Sequence, residues 1–450
     1  MNAPRKPLKR AVQTKVWGVL AGMLLAVVGP NGTLAQERCA TPQRDSVLSA
    51  RYSGWKLSRQ RLEVLIQKRV EAMDDPFSRL RTSDLLIRIP VVVHIVHNNA
   101  TGTIGGANNG NISDAQIMSQ IRVLNEDYRR QPGTNGFNTN PVGADMEIEF
   151  ALATRDPSGN PTSGITRTYS TRPDFDVFND ATTLANLISW PTDRYLNIWV
   201  VTLGAGGYLG IAQYPSAEGV PGLDMSESEL AATDGVIIDH RAFGSNTGTA
   251  NSGIYKEGRT ATHEVGHWLG LIHTWGDEVC GNDYCADTPL AERANRSRNC
   301  TELFSTCNGL RTRNMIENYL DYSPDLCMNT FTNDQKRRVR ATLEASPRRR
   351  RMVNSVVNLP ETEFLTLTVL GNPTNADRIQ LQAQFQGSRE VTLRLFDWQG
   401  RLLRTQVYPD QPGNQFSMNG QGLGVGMYVL QVQAGAEKTA RRIIIDNGRP

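Results

Sequence analysis

Apolar positions along this chain change their spacing at a few definite places, and each change predicts an element. Leu57, Leu62, Leu65, Ile66 and Met73 recur at helical spacing in a charged segment that Asp75-Pro76 stops. Residues 87–96 are rich in β-branched side chains, the pattern of a buried strand. A Gly- and Asn-rich loop follows at 102–110. Then Ser113-Asp114-Ala115-Gln116 opens a helix whose Ile117, Ile121, Leu124 and Tyr128 form one apolar face. Further strands are expected at 146–154, 195–203 and 235–239, and helices at 259–269 and 333–345.

Strands alternating with a few long helices predict an α/β (α+β) domain over 86–346. Residues 347–362 carry Arg348, Arg349, Arg350 and Arg351 with little periodic pattern and read as a linker. Beyond it, short apolar runs at 364–370, 379–385, 391–396, 427–432 and 441–445 are separated by Gly, Asn, Asp and Pro. They predict an all-β sandwich at 363–450. A chain of 450 residues exceeds one ordinary core, in agreement with several domains.

The N-terminus adds an address. Arg5, Lys6, Lys9, Arg10 and Lys15 precede an apolar stretch at 16–28, and Thr33-Leu34-Ala35 supplies small residues for cleavage, so 1–35 reads as a signal peptide. The stretch falls short of the ~20 residues a membrane span needs, and no later segment is apolar enough, so the mature protein is expected to lack a transmembrane segment. Segment 36–85 is small and mostly polar and reads as a prosegment. Five of six cysteines cluster between Cys280 and Cys327 without a CxxC pair, which in an exported chain favours disulfides over a metal site built on cysteines. A net charge of +3 gives no reason to expect a nucleic-acid partner.

The chemistry concentrates in His263-Glu264-Val265-Gly266-His267-Trp268-Leu269-Gly270-Leu271-Ile272-His273, which holds three of the chain's six histidines. Two histidines four apart project from one helix face, so His263 and His267 can share a zinc ion. Gly270 allows the positive φ that brings His273 round as third ligand. Three protein ligands leave a fourth position open, which distinguishes a catalytic zinc from a structural one. Glu264, on the neighbouring turn, reaches the metal-bound water as general base. His94, His97 and His240 lie in or beside strands and read as structural residues.

With this motif the chain resembles the metzincin metallopeptidases, and its surroundings are similar to the pappalysin group, especially the bacterial cytophagalysin-like members. The matching pieces are Ile89-Pro90-Val91-Val92-Val93-His94, Asn111-Ile112-Ser113-Asp114, Leu124-Asn125-Glu126-Asp127 and Gly210-Ile211-Ala212-Gln213-Tyr214-Pro215. Asp283 to Pro289, Asn318-Tyr319-Leu320-Asp321-Tyr322 and Cys327-Met328-Asn329 continue the match. The resemblance covers most of 89–343 and implies a metzincin-like catalytic domain in a secreted zinc-dependent metalloendopeptidase acting on polypeptides. Leu320 stands where the group's methionine turn carries methionine, a hydrophobic floor beneath the zinc histidines. Tyr322 matches the group's tyrosine, expected to stabilise the oxyanion or to contact the metal when substrate is absent. The resemblance also implies the disulfides Cys280–Cys307 and Cys300–Cys327, and oxygen ligands for a structural calcium at Asp283, Asp287 and Thr288, with Glu278 as a further candidate; a solvated acidic loop is the alternative for these residues. Asp325 and Leu326 are expected near the pocket for the residue after the cut, Asp325 favouring basic and Leu326 apolar side chains.

The C-terminal segment resembles a type IX secretion sorting domain, on Gly371-Asn372-Pro373, the run Val391 to Asp397 with Gly400-Arg401, and Gly426-Met427-Tyr428-Val429-Leu430. That implies the type IX machinery as a partner and a secreted or cell-surface location. A carbohydrate-binding or adhesive sandwich is the alternative for this module. Arg38-Cys39-Ala40-Thr41 puts a lone cysteine where related zymogens can carry a switch residue, and a thiolate would fill the open zinc position. The competing account pairs Cys39 with Cys285. Two other functions stay open: an inactive zinc-fold binding or adhesive protein, and a zinc amidase with a non-peptide substrate.

Overall fold

The computed structural model describes residues 37–52, 54–73, 86–204, 206–216, 227–355, 365–434 and 437–446. The expected signal peptide at 1–35 lies outside them, as do residues 74–85 of the expected prosegment. The described residues open with β1 (Glu37–Cys39), α1 (Thr41–Arg51) and α2 (Trp55–Ala72). Then come β2 (Ile87–His97), α3 (Asp114–Tyr128), β3 (Ile148–Leu152), β4 (Ile165–Tyr169), α4 (Ala181–Leu187), β5 (Leu196–Val201), β6 (Tyr208–Ala212), α5 (Glu227–Ala232) and β7 (Gly235–Asp239). Helix α6 (Arg259–Trp268), the hairpin β8 (Phe304–Cys307) and β9 (Leu310–Arg313), α7 (Asn333–Ala345) and α8 (Pro347–Asn354) follow. The last strands are β10 (Thr366–Val369), β11 (Ile379–Asp397), β12 (Leu402–Met418), β13 (Gly426–Ala434) and β14 (Glu437–Ile445).

The first sheet runs β1-β6-β7-β5-β2-β3, with β4 also on β2. It is parallel except where β6 meets β7. Strand β2 is covered on both faces, which is why its β-branched run is continuous: Val91, Val93 and Ile95 enter the main core while Val92 and Val96 enter clusters on the other side. Ser113 caps α3 by accepting the Gln116 N–H, and Ile117, Ile121, Leu124 and Tyr128 pack into the main core beside Val265 and Trp268 of α6. The sheet and these helices form the mixed α/β body read from the sequence.

Residues 347–354 correct the expected linker at 347–362. They form α8, and although Arg350 and Arg351 are exposed, the other two arginines are not solvated. Arg348 and Arg349 are buried and reach Asp234 Oδ2 at 2.7 and 2.6 Å, Arg349 also lies 3.9 Å over the Trp268 ring, and Met352 joins the main core. Asp234 accepts the Trp268 indole N–H as well, at 2.9 Å. One carboxylate thus ties α8 to α6, and the first body continues to Asn354.

The C-terminal region is all β, a five-stranded antiparallel sheet with β12 and β13 both paired to β11. Two strands expected at 379–385 and 391–396 are one strand, β11, with register shifts between Ala383 and Ser388 and between Arg389 and Val391. Alternate residues Leu381, Leu393, Leu395, Leu430, Val432 and Ile443 share one core. Strand β12 escaped the sequence reading because much of it alternates without a continuous apolar face. Among the described residues no helix is long and apolar enough to cross a membrane.

Candidate metal centre

Helix α6 carries His263, Glu264 and His267, all fully buried. Gly270, at φ +95, ends the helix, and a Cβ there would meet Thr342 of α7 at 2.7 Å, so only glycine fits. The chain then turns back and His273 arrives opposite the other two rings. The Nε2 atoms of His263, His267 and His273 lie 3.0–3.1 Å from one another. Their Nδ1 atoms face acceptors: Tyr319 O at 2.7 Å, Leu271 O at 2.8 Å and Asp277 Oδ1 at 2.5 Å. A carbonyl only accepts, so His263 and His267 carry their proton on Nδ1 and present bare Nε2 lone pairs to the shared point. Burial holds both rings neutral, His263 well below its ordinary value and His267 down at about 3. Three converging lone pairs repel unless a cation sits among them, and zinc with ligands at ~2.0–2.1 Å spaces tetrahedral nitrogens by roughly 3.3 Å. The residues therefore fit zinc.

Glu264 Oε2 accepts the Thr41 hydroxyl at 2.9 Å and the Cys39 thiol at 3.5 Å, while its buried Oε1 has no hydrogen-bond partner. Burial pushes its pKa up to about 8, opposed by those two donors and by the charge of Arg38. Strand β6 passes directly over it: a Cβ on Gly210 would lie 2.8 Å from the Glu264 side chain. Below the site, Leu320 is buried, 3.2 Å from where a Gly266 Cβ would stand, in the place expected of the methionine. Met315 and Met328 are also buried, Met315 accepting the Asn318 amide on its sulfur and Met328 lying in the main core. The Tyr322 ring stands edge-on to His273, centroids 5.0 Å apart, and its hydroxyl donates to the Cys39 carbonyl at 3.3 Å.

The first described residues lie across this centre. Strand β1 pairs in parallel with β6, Cys39 opposite Gly210. Cys39 joins the three histidines in a cluster whose ligand atoms all lie within 4.8 Å of one another. Burial and the Glu264 charge push the Cys39 thiol well up. Arg38 is buried beside it, donating to Ser323 O at 2.8 Å and to Asp325 Oδ1 at 2.9 Å, under the Tyr255 ring at 5.0 Å. Asp325 Oδ2 accepts the Glu257 and Arg259 N–H groups. Leu326 points to solvent, 75 % exposed.

The disulfides Cys280–Cys307 and Cys300–Cys327 are both formed, while Cys39 and Cys285 are free buried thiols. Asp283 accepts the Cys285 N–H at 3.1 Å and the Thr288 hydroxyl at 2.7 Å; burial pushes its pKa up to about 6. Asp287 Oδ2 caps the start of α7 through Asp334 N–H, leaving Oδ1 buried and unpartnered. Glu278 stands elsewhere, in a cavity shared with Asp45, Arg59 and Asp277. His94 is a buried structural residue between Thr166 and Asn197. Three residues in the centre were not anticipated. Thr41 stood within the Arg38-Cys39-Ala40-Thr41 run, Asp127 closed the Leu124 to Asp127 motif, and Asp277 had no local signal. Asp127 accepts from Arg259, Thr262 and Tyr319, fixing α3 to α6 and to the turn beneath the histidines.

Comparison with known proteins agrees with this geometry. A family model described as Pregnancy-associated plasma protein-A matches residues 180–344, and one described as Secretion system C-terminal sorting domain matches 369–446. Extracellular metalloproteases of Arthroderma otae and Pyricularia oryzae are 29% and 31% identical, the matches covering 59% and 56% of this chain and 81% and 74% of theirs. Tannerella forsythia mature mirolysin in complex with a cleaved peptide is 42% identical with a TM-score of 0.52, covering 61% of this chain and 99% of its own. A promirolysin mutant from the same organism is 37% identical, TM-score 0.54, covering 72% of this chain and 100% of its own. With a histidine cluster fit for zinc, relatives that are extracellular metalloproteases and a sorting tail at its C-terminus, this chain belongs to the pappalysin family and is a secreted zinc metalloprotease.

Proposed function

We propose that residues 86–354 form an endopeptidase that cuts polypeptides before basic residues, and that residues 36–85 are the prosegment holding it latent. The observation that carries the catalytic reading is the convergence of three buried Nε2 atoms within 3.1 Å beside a carboxylate with a free buried oxygen. His263, His267 and His273 would hold the zinc, which when bound lowers the pKa of water towards ~7 and polarises a carbonyl. Glu264 Oε1 takes the proton of the attacking water and returns it to the leaving amine. The Tyr322 hydroxyl, which lies on a backbone carbonyl beside the histidines, is suited to donate to the developing oxyanion.

Latency is supported by three contacts of one short segment. Cys39 brings a sulfur to the ligand cluster, Thr41 caps the general base, and Arg38 fills a pocket floored by Asp325. The same pocket supports the specificity. Asp325 is buried with both oxygens engaged, its partner is a guanidinium, and Leu326 faces away, so the competing apolar reading has no contact to rest on. In β1 the pocket residue precedes the metal-facing residue. A substrate presents the carbonyl first and the pocket residue next, so it runs in the opposite direction along β6 and the prosegment is not itself a well-posed substrate.

Two finer readings belong with this one. A calcium ion at Asp283, Asp287 and Thr288 is supported by the unpartnered Asp287 Oδ1. Recognition of the tail by the type IX secretion machinery is supported by the sorting-domain match over 369–446. The catalytic reading is tested by casein digestion with the prosegment removed, with and without a chelator, followed by mass-spectrometric mapping of the cuts. Chelator-sensitive cleavage before Arg and Lys is expected. Undiminished cleavage under chelation, or cuts indifferent to the following residue, would overturn it.

A further inference from the structure

Two of the three histidines are oriented by backbone carbonyls, His263 by Tyr319 and His267 by Leu271, and these acceptors do not depend on side-chain identity. The third is oriented differently. His273 Nδ1 lies 2.5 Å from Asp277 Oδ1, four residues on, and its ring is stacked on Trp275 with centroids 4.2 Å apart and planes 8° from parallel. Asp277 sits in the left-handed region at φ +61, a conformation Asp and Asn reach more readily than other side chains. Its carboxylate is 30 % exposed and borders a cavity of about 270 Å³ with Asp45 and Arg59. Among the described residues lining it, the cation is Arg59, which is engaged elsewhere: it pairs with Asp45 at 3.6 Å, donates to Pro215 O and lies over the Tyr214 ring. The imidazole is thus the hydrogen-bond partner of the Asp277 carboxylate, and the turn from His273 to Asp277 returns it to that nitrogen, with Gly276 N–H on His273 O at 2.8 Å.

We propose that Asp277 is a positioning residue for the zinc site: it fixes the Nδ1–H tautomer of His273 and raises the basicity of the Nε2 that faces the metal, so that zinc affinity depends on a carboxylate outside the ligand set. Carboxylate–imidazole–metal relays of this kind are a general means of tuning a site, and loss of the outer carboxylate typically costs 10–100-fold in metal affinity. The alternative is that the Trp275 stack alone holds the ring and Asp277 merely closes the turn.

The proposal rests on zinc binding at the three histidines, and the experiment separates the two. The full chain is stripped of metal and titrated with zinc against a chromophoric chelator, as wild type, Asp277→Asn and Asp277→Ala. Asn keeps an acceptor oxygen and tolerates the backbone conformation but loses the charge. Asp277→Ala is expected to bind zinc about 10–100-fold more weakly and Asp277→Asn to fall between it and wild type. Metal-free wild type and Asp277→Asn are expected to melt together, with Asp277→Ala lower because alanine is strained in the left-handed region, and cobalt substituted for zinc is expected to show shifted visible bands in both variants. If Asp277→Ala does not fold, the Asn variant carries the test. Wild-type zinc affinity and an unchanged cobalt spectrum in the Asn variant, with wild type binding zinc normally, overturn the positioning role alone. Absence of zinc binding in wild type overturns the reading of the site itself.

Discussion

Leu320 bears on the zinc helix only through packing: it is buried, carries no polar group and abuts Gly266. Leu and Met are near equal in volume, so Leu320→Met is expected to cost less than ~1.5 kcal/mol and to leave turnover and melting temperature nearly unchanged. A large gain in either, seen by kinetics and calorimetry, would mean that leucine impairs the site. Asp283 allows a sharper test, of calcium. Burial raises its folded pKa to about 6, above its unfolded value near 4. A raised carboxylate favours the folded state at pH below ~4, and that contribution is lost as pH rises through 6. At pH 7.5 the buried charge therefore opposes folding until a cation compensates it. Added calcium is expected to raise the melting temperature clearly at pH 7.5 and much less at pH 5. Equal shifts at both pH values would count against Asp283 as a ligand.

Among elements, α2 shows how the segment proposed as prosegment is anchored on α7. Leu62 and Ile66 pack on Ala341 and Ala345 of α7, and Glu63 accepts both terminal nitrogens of Arg338, at 2.6 and 2.7 Å. The third nitrogen of Arg338 donates to Gly270 O, where the chain turns towards His273. Removing one partner of a buried ion pair costs about 3–5 kcal/mol while the other stays buried. Glu63→Ala is therefore expected to loosen the prosegment, speeding conversion of the precursor several-fold, with no effect on the mature enzyme once α2 has left. Time courses of maturation on gels decide it; unchanged conversion would mean that α2 does not anchor latency. Elements with a strong local period were legible in the sequence: Gly235–Asp239 and Asn333–Ala345 stand at the expected residues, and His263, Glu264 and His267 needed only the four-residue repeat of a helix. Contacts made across long separations were not. The Arg348–Arg351 run reads as a solvated linker until Asp234, over a hundred residues earlier, supplies the buried carboxylate. The same limit hid the pairing of Arg38 with Asp325 and of Glu63 with Arg338, since charge alone does not name its partner.

At the scale of the whole molecule, segments with different roles are joined in series, and two truncation or substitution experiments address their independence. The C-terminal sheet has its own core and, among the described residues, contributes none to the histidine cluster. Truncation after Asn358 is expected to leave peptidase activity intact while the native host no longer exports it; normal export would refute the sorting role. Cys39→Ala is expected to give a precursor that matures faster, with Cys285 titratable in wild type. A linked peptide containing both cysteines, found by non-reducing mapping of the precursor, would eliminate the switch. In the proposed mechanism His263, His267 and His273 hold a zinc whose water is activated by Glu264. This is tested most directly by measuring zinc content and casein hydrolysis together for wild type and Glu264→Gln, each freed of residues 36–85 by an added protease. Zinc is expected to be retained in both, and hydrolysis to be about 10²–10⁴-fold lower in the variant. Activity within tenfold of wild type, or loss of zinc from the variant, would contradict it.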